Sequence, residues 1–130
     1  GQVFLTDSDT EVLLKAWIFW GENCISRLVG MFAFAVFDSQ EDTLTLVRDA
    51  FGIKPLFYSN FTGRVCFASE IRAITCLTED ESAMDQQTAY SYLIHGAYDN
   101  SVSTFFENVS HLSPGHMARI KLDNTSEIKL

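Results

Sequence analysis

Apolar residues recur along this chain in two rhythms, and the changes of rhythm mark its elements. From residue 9 to residue 20 they stand at Val12, Leu13, Ala16, Trp17 and Trp20, spacings of one, three and four that share one face of a helix. Ser8 or Asp9 caps that helix, Glu11 is an acid in its first turn and Gly21 stops it. A short second helix is predicted over residues 22–28. Residues 31–37 are apolar at every position, a pattern that asks for cover on both faces and so predicts a strand at the centre of a sheet. Residues 43–48, rich in Thr, Leu and Val, follow the polar SQED connection as a second strand. Residues 56–59 and 64–68 form another pair around a turn at 60–63, which makes a meander of four antiparallel strands.

The second half returns to helical spacing. Residues 70–76 predict a short helix, the acidic TEDES run at 78–82 a solvated loop, and residues 85–95 a capped helix with Ala89, Tyr92 and Leu93 inward. A polar loop at 99–103 precedes a turn at Ser113, Pro114 and Gly115. Residues 117–122 alternate as a strand, with 127–130 as its pairing partner. Helices beside antiparallel strands whose sheet is covered on both faces make an α+β fold of stacked sheets with helices outside.

One segment is more specific than any rhythm. Residues 48–58 read RDAFGIKPLFY: a charged pair, a glycine free to take a positive φ, and a lysine held extended by the proline after it. With SDTEVLLKA at 8–16, GMFAFAVFD at 30–38, FASEI at 67–71 and TFFENVSHLSPGH at 104–116, the chain resembles the glutamine-hydrolysing domain of the glutamine-dependent asparagine synthetases. These are class II, N-terminal-nucleophile amidotransferases. The resemblance runs from about Asp7 to the end of the chain. It implies an Ntn-hydrolase-like αββα sandwich of antiparallel sheets, here incomplete at its N-terminal side. It also implies a cysteine nucleophile whose own α-amino group is its base, whereas position 1 is glycine. The family's upstream arginine segment and Asn-Gly-Glu loop are absent too. Residues 1–130 are therefore expected to be the C-terminal part of one type-2 glutamine amidotransferase domain, with no catalytic residue of their own, inactive alone, and with the first half-domain and the synthetase domain as partners.

By the same resemblance Asp9 holds the α-amino group of glutamine, for which a carboxylate at a helix start is suited. Read from residues alone, it is a helix cap. Ser8, Thr10 and Glu11 receive capping and structural roles. Arg48 and Asp49 are expected to ion-pair and position the turn containing Gly52, Lys54 and Pro55, and Ser69 and Glu70 to be the cap and the first-turn acid of the following helix. ATP and Mg belong to the family's synthetase domain, where aspartate is converted to asparagine; no cofactor is expected in this chain. Two alternatives are a non-catalytic binding module, which leaves self-association open, and the amidotransferase domain of a related ATP-dependent amide-forming enzyme.

Composition narrows the rest. An apolar content of 47% is enough for a core, and 130 residues make one domain or less. A net charge of −8 with nine dispersed Lys and Arg argues against nucleic acid. No apolar run spans a membrane and no signal peptide is evident, so a cytoplasmic location is expected. Cys24, Cys66 and Cys76 are read as buried reduced thiols, and the N-x-S/T triplets at Asn60, Asn108 and Asn124 as accidental. His95, His111 and His116 lack ligand spacing, so no metal site is expected.

Overall fold

The computed structural model describes residues 3–61, 64–78, 83–96, 101–122 and 128–129. The chain divides into two compact units, residues 1–30 and residues 31–130.

The first unit is helical. α1 (Asp9–Trp20) begins and ends where its local signals place it: the Ser8 hydroxyl accepts from the Thr10 amide, and the Gly21 amide donates to Trp17 O at a positive φ. Of the predicted apolar face, Leu13, Ala16 and Trp17 are half-buried, whereas Val12 and Trp20 are exposed. The second helix is a 3₁₀ helix, Gly21–Arg27, and Cys24 is its buried residue. Desolvation by burial pushes the Cys24 thiol above its ordinary pKa.

The second unit is built on two antiparallel sheets. One runs β1 (Ala33–Asp38), β2 (Thr43–Arg48), β6 (Met117–Lys121), β7 (Ile128–Lys129); the other runs β4 (Arg64–Ala68), β3 (Phe57–Phe61), β5 (Ser110–His111). The four strands expected as one meander are thus two hairpins in two sheets. The RDAFGIKPLF segment carries the chain from one sheet to the other. Asn60 and Phe61, expected in a turn, extend β3, while residues 62–63 and 79–82 lie outside the described residues.

Between the sheets lies a core of Leu44 and Leu46 from β2, Ala118 and Ile120 from β6, and Leu56 and Leu112, with Tyr58 of β3 and Val65 of β4 packed against it. Strand alternation sends Phe57 and Ala68 to the opposite face of the smaller sheet. There they meet Ile71 and Ile74 of α2 (Ile71–Thr78) and Val109. Helix, three-stranded sheet and four-stranded sheet form three successive layers, an α+β arrangement.

β1 is an edge strand, which corrects its expected central place. Its register sets Phe37 opposite Leu44 and Ala35 opposite Leu46, yet Phe37 stays 57% exposed while its partners are buried. The apolar sequence states what the strand would bury. Its place in the sheet depends on which strands pair with it, and the central positions go to β2 and β6.

α3 (Gln86–His95) is capped at both ends, by the Asp85 carboxylate on the Thr88 amide and by Gly96 in the left-handed region. Its predicted inward face is formed only in part: Leu93 is 80% exposed, Ala89 is half-buried, and Tyr92, 47% exposed, sets its ring edge-on 5.5 Å from Phe105. Cysteine burial was also overestimated, since Cys76 is exposed and Cys66 half-buried. Among the described residues no helix is long and apolar enough to cross a membrane.

Candidate functional site

The two motif groups fall in different units, and each is described by itself. In the first, Asp9 is the opening residue of α1, exposed, and its carboxylate accepts no hydrogen bond among the described residues. Its neighbours are committed. Ser8 is the cap, its hydroxyl 3.2 Å from the Thr10 amide. Glu11 accepts from the amides of Leu5 (2.9 Å) and Thr6 (2.7 Å), from the Thr6 hydroxyl (2.6 Å) and from Lys15 Nζ (2.5 Å). Lys15 first, then Thr6 and Leu5, hold the Glu11 carboxyl well below the usual range, at about 2. Lys15 also donates to Val3 O and lies 4.5 Å over the Phe4 ring. An apolar groove of about 280 Å³, lined by Phe4, Val12, Lys15, Ala16, Phe19 and Trp20, follows this side of α1. An exposed, uncommitted carboxylate beside the positive end of a helix can take charge-assisted hydrogen bonds from an ammonium group without losing a bond it already makes.

In the second unit the RDAFGIKP motif closes a corner. Arg48, the last residue of β2, is 5% exposed, and its guanidinium donates to three carbonyls: Lys54 O (Nε, 2.9 Å), Gly52 O (Nη2, 2.8 Å) and Leu112 O (Nη1, 2.7 Å). The first two lie on the crossing from β2 to β3, the third on the crossing from β5 back to β6. One side chain therefore holds both passages between the sheets. Asp49, 1% exposed, accepts from the amides of Phe51 (3.1 Å), Ile53 (3.1 Å) and Lys54 (3.0 Å). The expected ion pair between Arg48 and Asp49 is not formed. Each charge faces backbone groups of the sign it needs, which fixes a turn more closely than mutual pairing would. The Lys54 amide, followed by those of Ile53 and Phe51, holds the Asp49 carboxyl below its ordinary pKa against the opposing effect of burial.

Gly52 has φ +64°, and a Cβ there would stand 2.7 Å from Pro114 Cγ and 3.1 Å from Arg48 Cζ. That closeness explains the glycine: the Ser113-Pro114-Gly115 turn lies directly on it. Gly115 N also donates to Asp49 O (2.8 Å), and Arg48 N to His116 O (3.1 Å). Lys54 belongs to the corner through its backbone, its own side chain being exposed, and Pro55 leads into buried Leu56.

Ser69 is not the cap of α2 nor Glu70 its first-turn acid as expected, since α2 starts at Ile71. Both are exposed and their side chains make no hydrogen bond among the described residues; only the Glu70 carbonyl takes part, accepting from Ala73. Sequence reasoning missed Leu112, whose carbonyl meets Arg48, and Thr104. Buried Thr104 donates its hydroxyl to Val109 O (2.7 Å) and accepts from the Phe106 amide (3.1 Å), folding the segment before β5. The Pro-Gly turn announced a bend there, but nothing local named its partner. Of the histidines, His111 is buried with its ring 4.7 Å from Phe57, and His116 Nδ1 lies 2.8 Å from Pro114 O. Among the described residues no three metal-ligating side chains are gathered.

These geometries fit the motifs read from the sequence, and a model of the glutamine amidotransferase domain matches residues 1–129. The chain belongs to that family. It is similar to asparagine synthetase [glutamine-hydrolyzing] 3 of Bacillus subtilis, 33% identical over 95% of this chain and 20% of the relative. It is also similar to asparagine synthetase [glutamine-hydrolyzing] 1 of the same organism, 34% identical over 99% of this chain and 20% of the relative. A more distant similarity is to amidase chry2 of Gibberella zeae, 29% identical over 87% of this chain and 16% of that protein. The glutamine amidotransferase chain thus spans about a fifth of the length of the curated synthetases it matches.

Proposed function

We propose that residues 1–130 are the C-terminal part of one type-2 glutamine amidotransferase domain in a glutamine-hydrolysing asparagine synthetase. The domain would complete an Ntn-hydrolase-like αββα sandwich with a half-domain not included in these residues. In this reading Asp9 binds the α-ammonium of glutamine. A cysteine thiolate supplied by the rest of the parent attacks the side-chain amide, donors of an oxyanion hole stabilise the tetrahedral intermediate, and ammonia leaves. That ammonia serves the ATP-dependent conversion of aspartate to asparagine in a synthetase domain. In this reading ATP and Mg act in that synthetase domain. The chain would be inactive alone, in a cytoplasmic setting, and the exposed apolar residues of edge strand β1 fit a strand awaiting neighbours.

The observation that carries this reading is the free carboxylate of Asp9 at the start of α1, in a chain whose relatives are named as glutamine-hydrolysing synthetases. In the intact enzyme Asp9→Asn is expected to raise the KM for glutamine, lowering the ratio of glutamine-dependent to ammonia-dependent synthesis at low glutamine. Equal loss of both activities would remove Asp9 from the glutamine pocket. A second reading places the same domain in a related ATP-dependent enzyme that forms a different amide bond, since the family match covers the glutamine amidotransferase part alone. An acceptor screen with ammonia as nitrogen source separates the two.

A further inference from the structure

The hydrogen bonds of Glu11 are not those of an ordinary helix cap. With Ser8 at the cap position, Glu11 is the third residue of α1, where a capping box would return its carboxylate to the amide of the cap residue. Here the Ser8 amide donates instead to the Thr6 hydroxyl (3.4 Å), and that hydroxyl donates to Glu11 Oε2 (2.6 Å). The carboxylate itself reaches past the cap to the amides of Leu5 and Thr6. Lys15, one turn along α1, holds Glu11 and the carbonyl of Val3. The segment entering α1 is thus tied back along the helix, and the backbone on both sides of Asp9 is fixed. Capping requires none of the bonds to Leu5 and Thr6. Their consequence is a defined origin for the Asp9 side chain, which itself remains without a partner.

We propose that Glu11 and Thr6 are positioning residues for the glutamine pocket, setting through the Thr6 hydroxyl the direction from which Asp9 meets the substrate's ammonium group. This rests on the reading of Asp9 given above. Loss of the tie frees the entering segment, and a displacement of a substrate-holding group by a fraction of an ångström weakens binding strongly.

The test is steady-state kinetics of the intact enzyme with glutamine and, separately, with ammonia, for Glu11→Ala, Thr6→Val and Asp9→Asn. Thr6→Val keeps the side chain's shape and removes only the relay, so it guards against failure of Glu11→Ala to fold. The expected result is a glutamine KM raised on the order of tenfold in Glu11→Ala and about threefold in Thr6→Val, with kcat at saturating glutamine retained. A wild-type KM in Thr6→Val, with Glu11→Ala either wild-type in KM or losing both activities equally, would overturn the proposal. If Asp9→Asn still raises KM in that case, the assignment of Asp9 survives; if it does not, that assignment falls with it.

Discussion

Gly52→Ala puts a methyl group where the two crossings between the sheets touch. Two costs arise there and can be told apart. The first is conformational: at φ +64° an L-residue occupies the left-handed region, at about 1–2 kcal/mol. The second is steric. The new Cβ would lie 2.7 Å from Pro114 Cγ, a ring atom with little freedom to retreat, and 3.1 Å from the Arg48 guanidinium carbon. Relief requires the Ser113-Pro114-Gly115 turn to move or Arg48 to leave its carbonyls, an overpacking cost of about 1–3 kcal/mol. The total is about 2–5 kcal/mol. Gly115→Ala is the internal reference. Its φ of +68° carries the same strain, but the nearest atom to its Cβ would be Ala50 Cα at 3.6 Å, an ordinary contact. It should cost only the first term, about 1–2 kcal/mol. Urea unfolding of the two variants, followed by fluorescence and analysed with a common slope, measures the difference. Equal losses at the two positions would refute the corner as a packed contact and reduce Gly52 to a turn residue like any other.

Arg48→Met removes the donor from three carbonyls while keeping the length of the stem. Leaving the buried Leu112 carbonyl unpaired and the turn carbonyls without their charged donor should cost about 3 kcal/mol or more, read in the same unfolding assay; a loss under about 1 kcal/mol would mean that water replaces the guanidinium. Asp49 has a folded-state pKa below its ordinary 3.8, so its contribution is present above that value and lost as pH falls through the lower, folded one. Asp49→Asn should therefore be less stable than the wild type at neutral pH and flatter in its pH dependence in that acid window, and parallel pH profiles of the urea midpoint would contradict this. Glu11 has the same sign, with its window running from 4.5 down to about 2. Hydrogen exchange of the Leu5 and Thr6 amides, corrected for intrinsic rates, should show protection retained at pH 4.5 and lost as pH approaches about 2; protection independent of pH would show that Glu11 does not hold them.

What the sequence decided by itself was whatever depends on residues within a turn or so of each other. α1 runs between the cap at Ser8 and the stop at Gly21, α3 between Asp85 and Gly96, and the β1–β2 hairpin forms around its polar turn, because caps and turns are satisfied by groups a few residues away. Family membership was legible for a related reason. The motifs set unusual residues at fixed spacing, and the glycine and the charged pair of RDAFGIKP can be read without knowing which distant segments close their corner. Tertiary structure alone decided the rest. That β1 is an edge and β2 central follows from β6 pairing across seventy positions or more. That Arg48 and Asp49 hold backbone rather than each other follows from the Leu112 carbonyl arriving from 64 residues away and the turn amides converging on one carboxylate. A side chain's chemistry is fixed by its identity, but the group that satisfies it is chosen by which distant segment is packed beside it.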